Sequence, residues 1–422
     1  MSGRNRDTAT AATAVWPTTR FRHIADVTKG RLPGTTYQGR LDGQGLPYLT
    51  MDYLRCETDD VSLVHDDPSL LHASEGDILL LWDGANAGEF FRAKRGVVSS
   101  TCAMITPKEI DPRYLFWVCK VEEHRIRAAT TGMGVPHVDG EVLGNLRVPV
   151  PSADQQRTIA DYLDRETAQI DELIAVKRRL IGLLVEKRQA LITKAVMRGL
   201  NQAAILRDSG NPWLGMIPKN WTATKLKYVA SQPLAYGANE AASDDDRSWP
   251  RYVRITDIND DGTLREETFR SLHPILAGDY LLEDGDVLFA RSGSVGKAVL
   301  YQESWGRSCF AGYLIRLRCD QRLVVPEFIA RFAQSACYWR QLREGAIQST
   351  IENFSADKYG ELCLPLPPIE EQVNIIAALS DVLSYSDTLV KSAKRTIDLL
   401  KERRAALISE AVTGQIDVGA AT

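Results

Sequence analysis

The stretch PLPPIEEQ at 365–372 opens a long run that meets no glycine before Gly414, and PVPSADQQ at 149–156 opens a second run broken only by Gly182. Laid over each other, the two steps put Gln156 on Gln372, 216 residues on, and the register holds without a gap on both sides. Gly144 meets Gly360, Pro149 meets Pro365, Ile159 meets Ile375, Leu163 meets Leu379, and ALI at 190–192 meets ALI at 406–408. Such a series is an internal duplication. Its period implies two domain-sized repeats rather than a solenoid of small ones.

Upstream the offset drifts. WPTTRFRHIADV from Trp16 matches WTATKLKYVASQ from Trp221, 205 residues on; PYLTMDYL from Pro47 resembles RYVRITDI from Arg251, and EGDILLLWDG from Glu75 resembles DGDVLFARSG from Asp284. Each half is therefore a divergent globular part followed by a nearly invariant helical part. Short β-branched and aromatic runs cut by Gly, Asp, Asn and Pro are strand signals, with shorter helical patterns after them. The fold class expected is α+β with a mainly antiparallel sheet in each half.

After each proline step the texture turns helical. Ser152 and Gln155 fit a capping box, and Pro368 suits a first helical turn. Ile170, Leu173, Leu180, Leu184 and Leu191 recur at helical spacing, as do Leu389, Leu400 and Leu407. About 30 helical residues over 168–196 span roughly 45 Å and overhang a small domain, so the apolar stripe needs another helix. The other copy supplies it, giving an antiparallel coiled coil; the alternative is that each helix folds back on its own domain. The resulting division is a disordered tail (1–15), a first recognition domain (16–150), a first helical spacer (151–200), a linker (201–220), a second recognition domain (221–366), a second spacer (367–415) and a tail (416–422).

Bulk composition narrows the classes. A chain of 422 residues with 44% hydrophobic and 25% charged content is globular and multidomain. No apolar run approaches the ~20 residues of a bilayer span, and the polar N-terminus lacks a secretory core. Seven scattered cysteines without a CxxC pair argue against a disulfide framework or zinc cluster and for the cytoplasm. A net charge of −4 lacks the basic balance of a general nucleic-acid binder, so any such binding needs a local basic face.

Taken with these features, DSGNPWLGMIPKNW at 208–221, GDILL at 76–80, GDVLF at 285–289, PLPPIEEQVNIIAAL at 365–379 and KERRAALISEAVTGQI at 401–416 are telling. In that order the chain resembles the specificity subunit of type I restriction-modification systems over nearly its whole length. The first half departs from the pattern, lacking the DSG…WLG opening and carrying AGEFF after Asp83. The resemblance implies two target-recognition domains, each reading half of a split sequence in double-stranded DNA. It also implies helices that set the spacing and dock two methyltransferase subunits, and restriction/translocase subunits in the full complex. No cofactor is expected in this chain; S-adenosylmethionine and ATP with magnesium belong to the partners.

The residues agree that catalysis is elsewhere. LPPI at 366–369 has no amide or carboxylate before its prolines and no aromatic after them, so it cannot hold an adenine amino group. GMGVPH at 132–137 lacks a third glycine, and RSGSVGKA at 291–298 has Arg291 and Ala298 where a P-loop needs glycine and a hydroxyl. Base reading needs donors and acceptors on loop tips. The candidates are Trp82, Asp83, Asn86 and Arg92 in the first copy and Arg291, Ser292, Ser294 and Lys297 in the second. The turns before the proline steps add Thr131, Met133 and His137, then Gln348, Ser349, Thr350 and Asn353. Arg254 and Thr256 are candidates on a strand. Gln156, Gln372, Arg188 and Arg404 are candidates for partner docking, although charged helix faces are more often simply solvated. A coiled-coil scaffold whose globular ends bind proteins is the competing function.

Overall fold

The computed structural model describes residues 16–39, 45–55, 61–132, 134–259, 262–347 and 353–418. The expected tail at 1–15 and the candidates Met133, Gln348, Ser349 and Thr350 lie outside them. Four helices organise the chain: α1 (Pro112–Ala128), α2 (Ala153–Arg198), α3 (Pro326–Phe332) and α4 (Ile369–Thr413). α2 runs 46 residues and α4 runs 45, well beyond the thirty read from periodicity. Ser152 and Gln155 bond reciprocally as a capping box at the start of α2.

Each proline step is the last strand of its sheet before a long helix. Thr18–Arg20 pairs antiparallel with Arg147–Pro149, and Thr222–Lys225 pairs antiparallel with Cys363–Leu366. A four-stranded antiparallel sheet follows the same plan in both copies. Ala25–Lys29, Cys102–Pro107, Ile78–Leu81 and Phe90–Arg92 lie in that order in the first. Ala235–Tyr236, Leu314–Leu317, Val287–Ala290 and Ala298–Leu300 do so in the second. Leu46–Leu49 pairs parallel with Gly96–Val98, and Arg251–Val253 pairs parallel with Ser308–Phe310. The sheets are mainly antiparallel, as expected.

The chain divides into two compact units, but not at the helix starts. One comprises the chain up to Lys177 together with everything from Arg395; the other runs from Arg178 to Lys394. Both long helices are thus shared, each contributing to both units. In the first unit, Ile159, Ala160 and Leu163 of α2 share one core with Ile408, Ala411 and Val412 of α4. In the second, Ile192, Ala195 and Val196 of α2 share one core with Ile375 and Leu379 of α4. The spacers are therefore part of the globular cores.

Burial along α2 picks out Ile170, Ile174, Lys177, Ile181, Leu184, Arg188 and Leu191, an unbroken four–three repeat. Leu173 and Leu180, expected in the seam, are 49% and 40% exposed. They lie one residue off it. Lys177 and Arg188 do occupy seam positions, so a search for apolar residues alone drifts to the neighbouring leucines. In α4 the equivalent seam includes Ala393, Ile397, Leu400, Arg404 and Leu407, and Leu389 lies beside it.

Arg188 forms an ion pair with Asp387, and Arg404 forms one with Asp171 at 3.0 Å. At the period of 216, Arg188 is equivalent to Arg404 and Asp171 to Asp387. The two contacts are one contact made twice, as antiparallel pairing of two copies of a helix demands. These half-exposed pairs contribute at most about 1 kcal/mol each, so their role is register rather than strength. α4 is long and apolar enough by composition to cross a bilayer, which the lack of an uninterrupted apolar run did not suggest. Its ion pairs with α2 and its shared cores identify it as a packed helix.

The stretch 201–220, expected as a linker, folds into a hairpin of Leu206–Asp208 with Met216–Pro218, and Leu214 and Ile217 enter the second core. Of the tail expected at 416–422, Val418 is buried in the first core. The six cysteines among the described residues are all buried thiols, and desolvation pushes Cys309 and Cys319 up to about 12.

Gln156 and Gln372 are equally internal. Gln372 is fully buried; its Nε2 donates to the Leu323 and Pro367 carbonyls at 3.0 and 2.8 Å, and its Oε1 accepts from the Val325 amide at 2.8 Å. Gln156 accepts from the Asp111 amide and donates to the Pro151 carbonyl, both at 2.9 Å. Asp111 and Val325 are the residues that start α1 and α3. Each glutamine therefore clamps the start of a long helix to the start of a domain helix. With their amides satisfied inside the protein, neither faces a partner. Gln372→Ala leaves a buried amide and two carbonyls without partners, at ~1–3 kcal/mol for an unsatisfied group. We expect it to lower unfolding free energy by roughly 2–4 kcal/mol in urea, whereas the exposed Asn374→Ala changes it by less than about 0.5 kcal/mol.

Candidate nucleic-acid interface

In the second unit, strand Val287–Ala290 runs into the loop 291–297 and returns as Ala298–Leu300. Its base is clamped: the Tyr359 hydroxyl donates to the Ala290 carbonyl (2.6 Å) and accepts from the Gly296 amide (3.0 Å), and Tyr338 donates to the Gly296 carbonyl (3.0 Å). Gly296 has φ +90°, and a Cβ there would lie 2.5 Å from Leu342. A rigid base thus carries an open tip at Ser292–Ser294, with Ser294 exposed.

Arg291 stands at the edge of this tip. Its Nε donates to Asn353 Oδ1 at 3.0 Å, and its guanidinium lies 4.7 Å from the Tyr236 ring centroid. The structure therefore brings the strand loop and the turn before the proline step together. In the first unit, Asp83 and His137 form a β-bridge. Thr131 and His137 exchange backbone bonds and a 2.9 Å side-chain contact. His137 and Asn353, 216 residues apart, both link the turn before the proline step to the strand loop, His137 through its backbone and Asn353 through its side chain.

Other candidates point inward. Arg92 pairs with Asp164 at 2.9 Å and stacks 4.3 Å from the Phe116 centroid, which fastens it to α2. Trp82 packs on the first core, and Asn86 accepts from Arg127 at 2.9 Å. Arg254 is no strand residue. It caps the 3-10 turn Ile255–Asp257, donates to both oxygens of buried Asp257 (2.9 and 2.7 Å) and reaches the Thr268 carbonyl. Thr256 lies in the same turn and is exposed. Lys297 donates to the Ile258 carbonyl at 3.3 Å. Arg188 and Arg404 are committed to the helix pair.

Two residues were missed: Tyr236, 41% exposed beside Arg291, and Tyr313, 65% exposed, whose carbonyl accepts from the Arg291 amide. The signal was the glycine after Tyr236. A Cβ on Gly237 would stand 2.3 Å from the Phe310 carbonyl oxygen, and on Gly30 2.3 Å from that of Ser99. The matching glycines make Lys29 the counterpart of Tyr236. Lys29 pairs with Asp83 at 2.7 Å. Around the same loop, then, one unit offers Lys29 paired with Asp83, which aligns with Ser292, and the other offers Arg291, which aligns with Trp82, stacked on Tyr236.

Among the described residues, no three His, Cys, Asp or Glu side chains converge as a metal site. The fold and tips define a duplicated recognition protein, with one framework and two differing sets of tip residues. Residues 16–180 and 251–398 match the model of the type I restriction modification DNA specificity domain, and the chain belongs to that family. It is 26% identical to the type I restriction enzyme MjaVIII specificity subunit of Methanocaldococcus jannaschii, over 96% of this chain and 93% of that one. It is 23% identical to the EcoBI specificity subunit of Escherichia coli, over 69% and 63%. A chain from a structural study of complex assembly and conformational transition of the type I R-M system matches with a TM-score of 0.70. It covers 95% of this chain and 98% of that one at 16% identity, a likeness of fold.

The inward arginines separate stability from recognition. Arg254→Ala strands Asp257, which is 1% exposed, and is expected to cost about 2–4 kcal/mol of stability. Thr256→Ala, on the exposed side of the same turn, should stay within about 0.5 kcal/mol in a denaturant titration.

Proposed function

We propose that the chain is the DNA specificity subunit of a type I restriction-modification complex and that each globular unit reads one half of a bipartite duplex target. The observation that carries this is the contrast between Arg291 stacked on Tyr236 in one unit and Lys29 paired with Asp83, one residue beyond the position equivalent to Arg291, in the other, at the same loop of one framework. Identical joints with different tips suit one ligand class read at two sequences. Arg291, Ser292, Ser294, Asn353, Tyr236 and Thr256 are the reading surface in the second unit, and Lys29, Asp83, Thr131 and His137 in the first. Arg and Asn match guanine and adenine edges, and an exposed Tyr offers a stacking or phosphate contact.

On this reading the paired helices fix the distance between half-sites and dock two methyltransferase subunits, with restriction subunits joining them. The chain itself is non-catalytic. S-adenosylmethionine and ATP with magnesium act on the partners, and the complex works in the cytoplasm.

Co-expression with the cognate methyltransferase followed by genome-wide methylation mapping should reveal a single split motif. Replacing residues 221–366 with the matching domain of another family member should change one half of that motif and leave the other half and its spacing intact. Methylation without a split motif would return the chain to the scaffold reading, and a change in both halves would refute one-unit-one-half reading.

A further inference from the structure

The two units differ at a second place, away from the loop tips, where α3 meets strand Ala298–Leu300. The glutamine clamps align Asp111 with Val325, so Phe116 corresponds to Ala330 and Trp117 to Arg331. Strand registers align Arg92 with Leu300, and the 216-residue period aligns Asp164 with Ser380. In the first unit this place is full. Arg92 lies over Phe116, and Asp164 takes both Arg92 (2.9 Å) and the Trp117 indole N–H (3.0 Å), so charge and volume are both satisfied.

In the second unit the same place is a cleft of about 490 Å³, lined by Leu300, Ala330, Arg331, Arg188, Lys297 and Gln334 among others. Small side chains replace the aromatic and the arginine, and the carboxylate is gone. Among the described residues Arg331 forms no ion pair, and its side chain makes one hydrogen bond, to Gln334 Oε1 at 3.5 Å, the limit of such a contact. Burial lowers its proton affinity, the neighbouring charge of Arg188 lowers it further, and Asp387 and Glu327 oppose both. Asp387 is already engaged by Arg188. Glu266 and Glu327 also line the cleft, Glu266 paired with Arg251, but among the described residues no carboxylate forms an ion pair with the half-buried Arg331 guanidinium.

We propose that this cleft is a phosphate-binding site in which Arg331, with the positive charge of Arg188 beside it, holds the oxygens of a phosphate group. A planar guanidinium fork with an amide alongside suits a multi-oxygen anion, for which charge-assisted bonds are strongest. The phosphate comes either from the backbone of a bound duplex or from a free phosphate compound. The first unit has closed its equivalent with Asp164 as an internal anion, so the site is single.

The full chain is tested as wild type, Arg331→Ala, Arg331→Lys and the pair Arg331→Trp with Ser380→Asp, which introduces the counterparts of Trp117 and Asp164. Each variant is first shown to keep its circular dichroism and unfolding midpoint. Inorganic phosphate is followed by phosphorus NMR, and duplex binding by anisotropy between 50 and 200 mM salt. A backbone source predicts binding about tenfold weaker on any sequence for Arg331→Ala and the double variant. It also predicts that the slope of log affinity against log salt falls by about 1, partly restored by lysine. A free source predicts saturable broadening of the phosphate signal by wild type, lost in both variants, with the salt slope unchanged. Folded variants that alter neither readout overturn the proposal. So does a variant that weakens only binding of the methyltransferase partner, which would assign the cleft to a protein carboxylate. The phosphate arm needs neither DNA nor partner, so its failure is distinct from failure of the split-motif reading.

Discussion

Neither globular core closes with its own helix alone. Ile159 and Leu163 of the first repeat are covered by Ile408, Ala411 and Val412 of the second, and Ile375 and Leu379 of the second by Ile192, Ala195 and Val196 of the first. Burying one large aliphatic side chain is worth about 1.5–3 kcal/mol, so the two borrowed on each side, an isoleucine and a valine, supply several kcal/mol. That is a large share of the 5–15 kcal/mol by which a domain is typically stable. The borrowed helix end is therefore a condition of folding, and it explains why the joint keeps its 216-residue period while the rest of each repeat drifts.

The divergent parts meet the joint at a few shared contacts, among them the helix starts at Asp111 and Val325, and differ elsewhere. The Gln156 and Gln372 clamps, the proline-step strands and the Arg–Asp pairs are held in common. Lys29–Asp83 and Tyr236–Arg291 differ, as do the filled pocket at Trp117 and the open one at Arg331. A shared frame with differing surfaces lets the two units of one chain carry two different sets of tip residues.

Much of this was legible in the sequence. The duplication, the α+β class and the long helices followed from an ungapped match and from helical spacing without proline. The seam was misplaced by one residue because charged Lys177 and Arg188 occupy it and leucines flank it. Arg92 and Arg254 looked like reading residues because they sit near turns, but their carboxylate partners are distant in sequence (Asp164) or hidden in a short turn (Asp257). Tyr236 was passed over because its one sequence signal, Gly237, takes its meaning from a close approach of two backbones that is seen only in the fold.

Asp171 and Arg188 belong to one copy of the repeat, as do Ile159, Leu163, Ile192 and Val196. If the borrowed helix end is what closes each core, residues 1–200 expressed alone should close it with a second copy of themselves. Sedimentation equilibrium together with circular dichroism is the direct measurement. A folded dimer that loses its structure on dilution is the predicted result, and a stably folded monomer of that half would contradict the account.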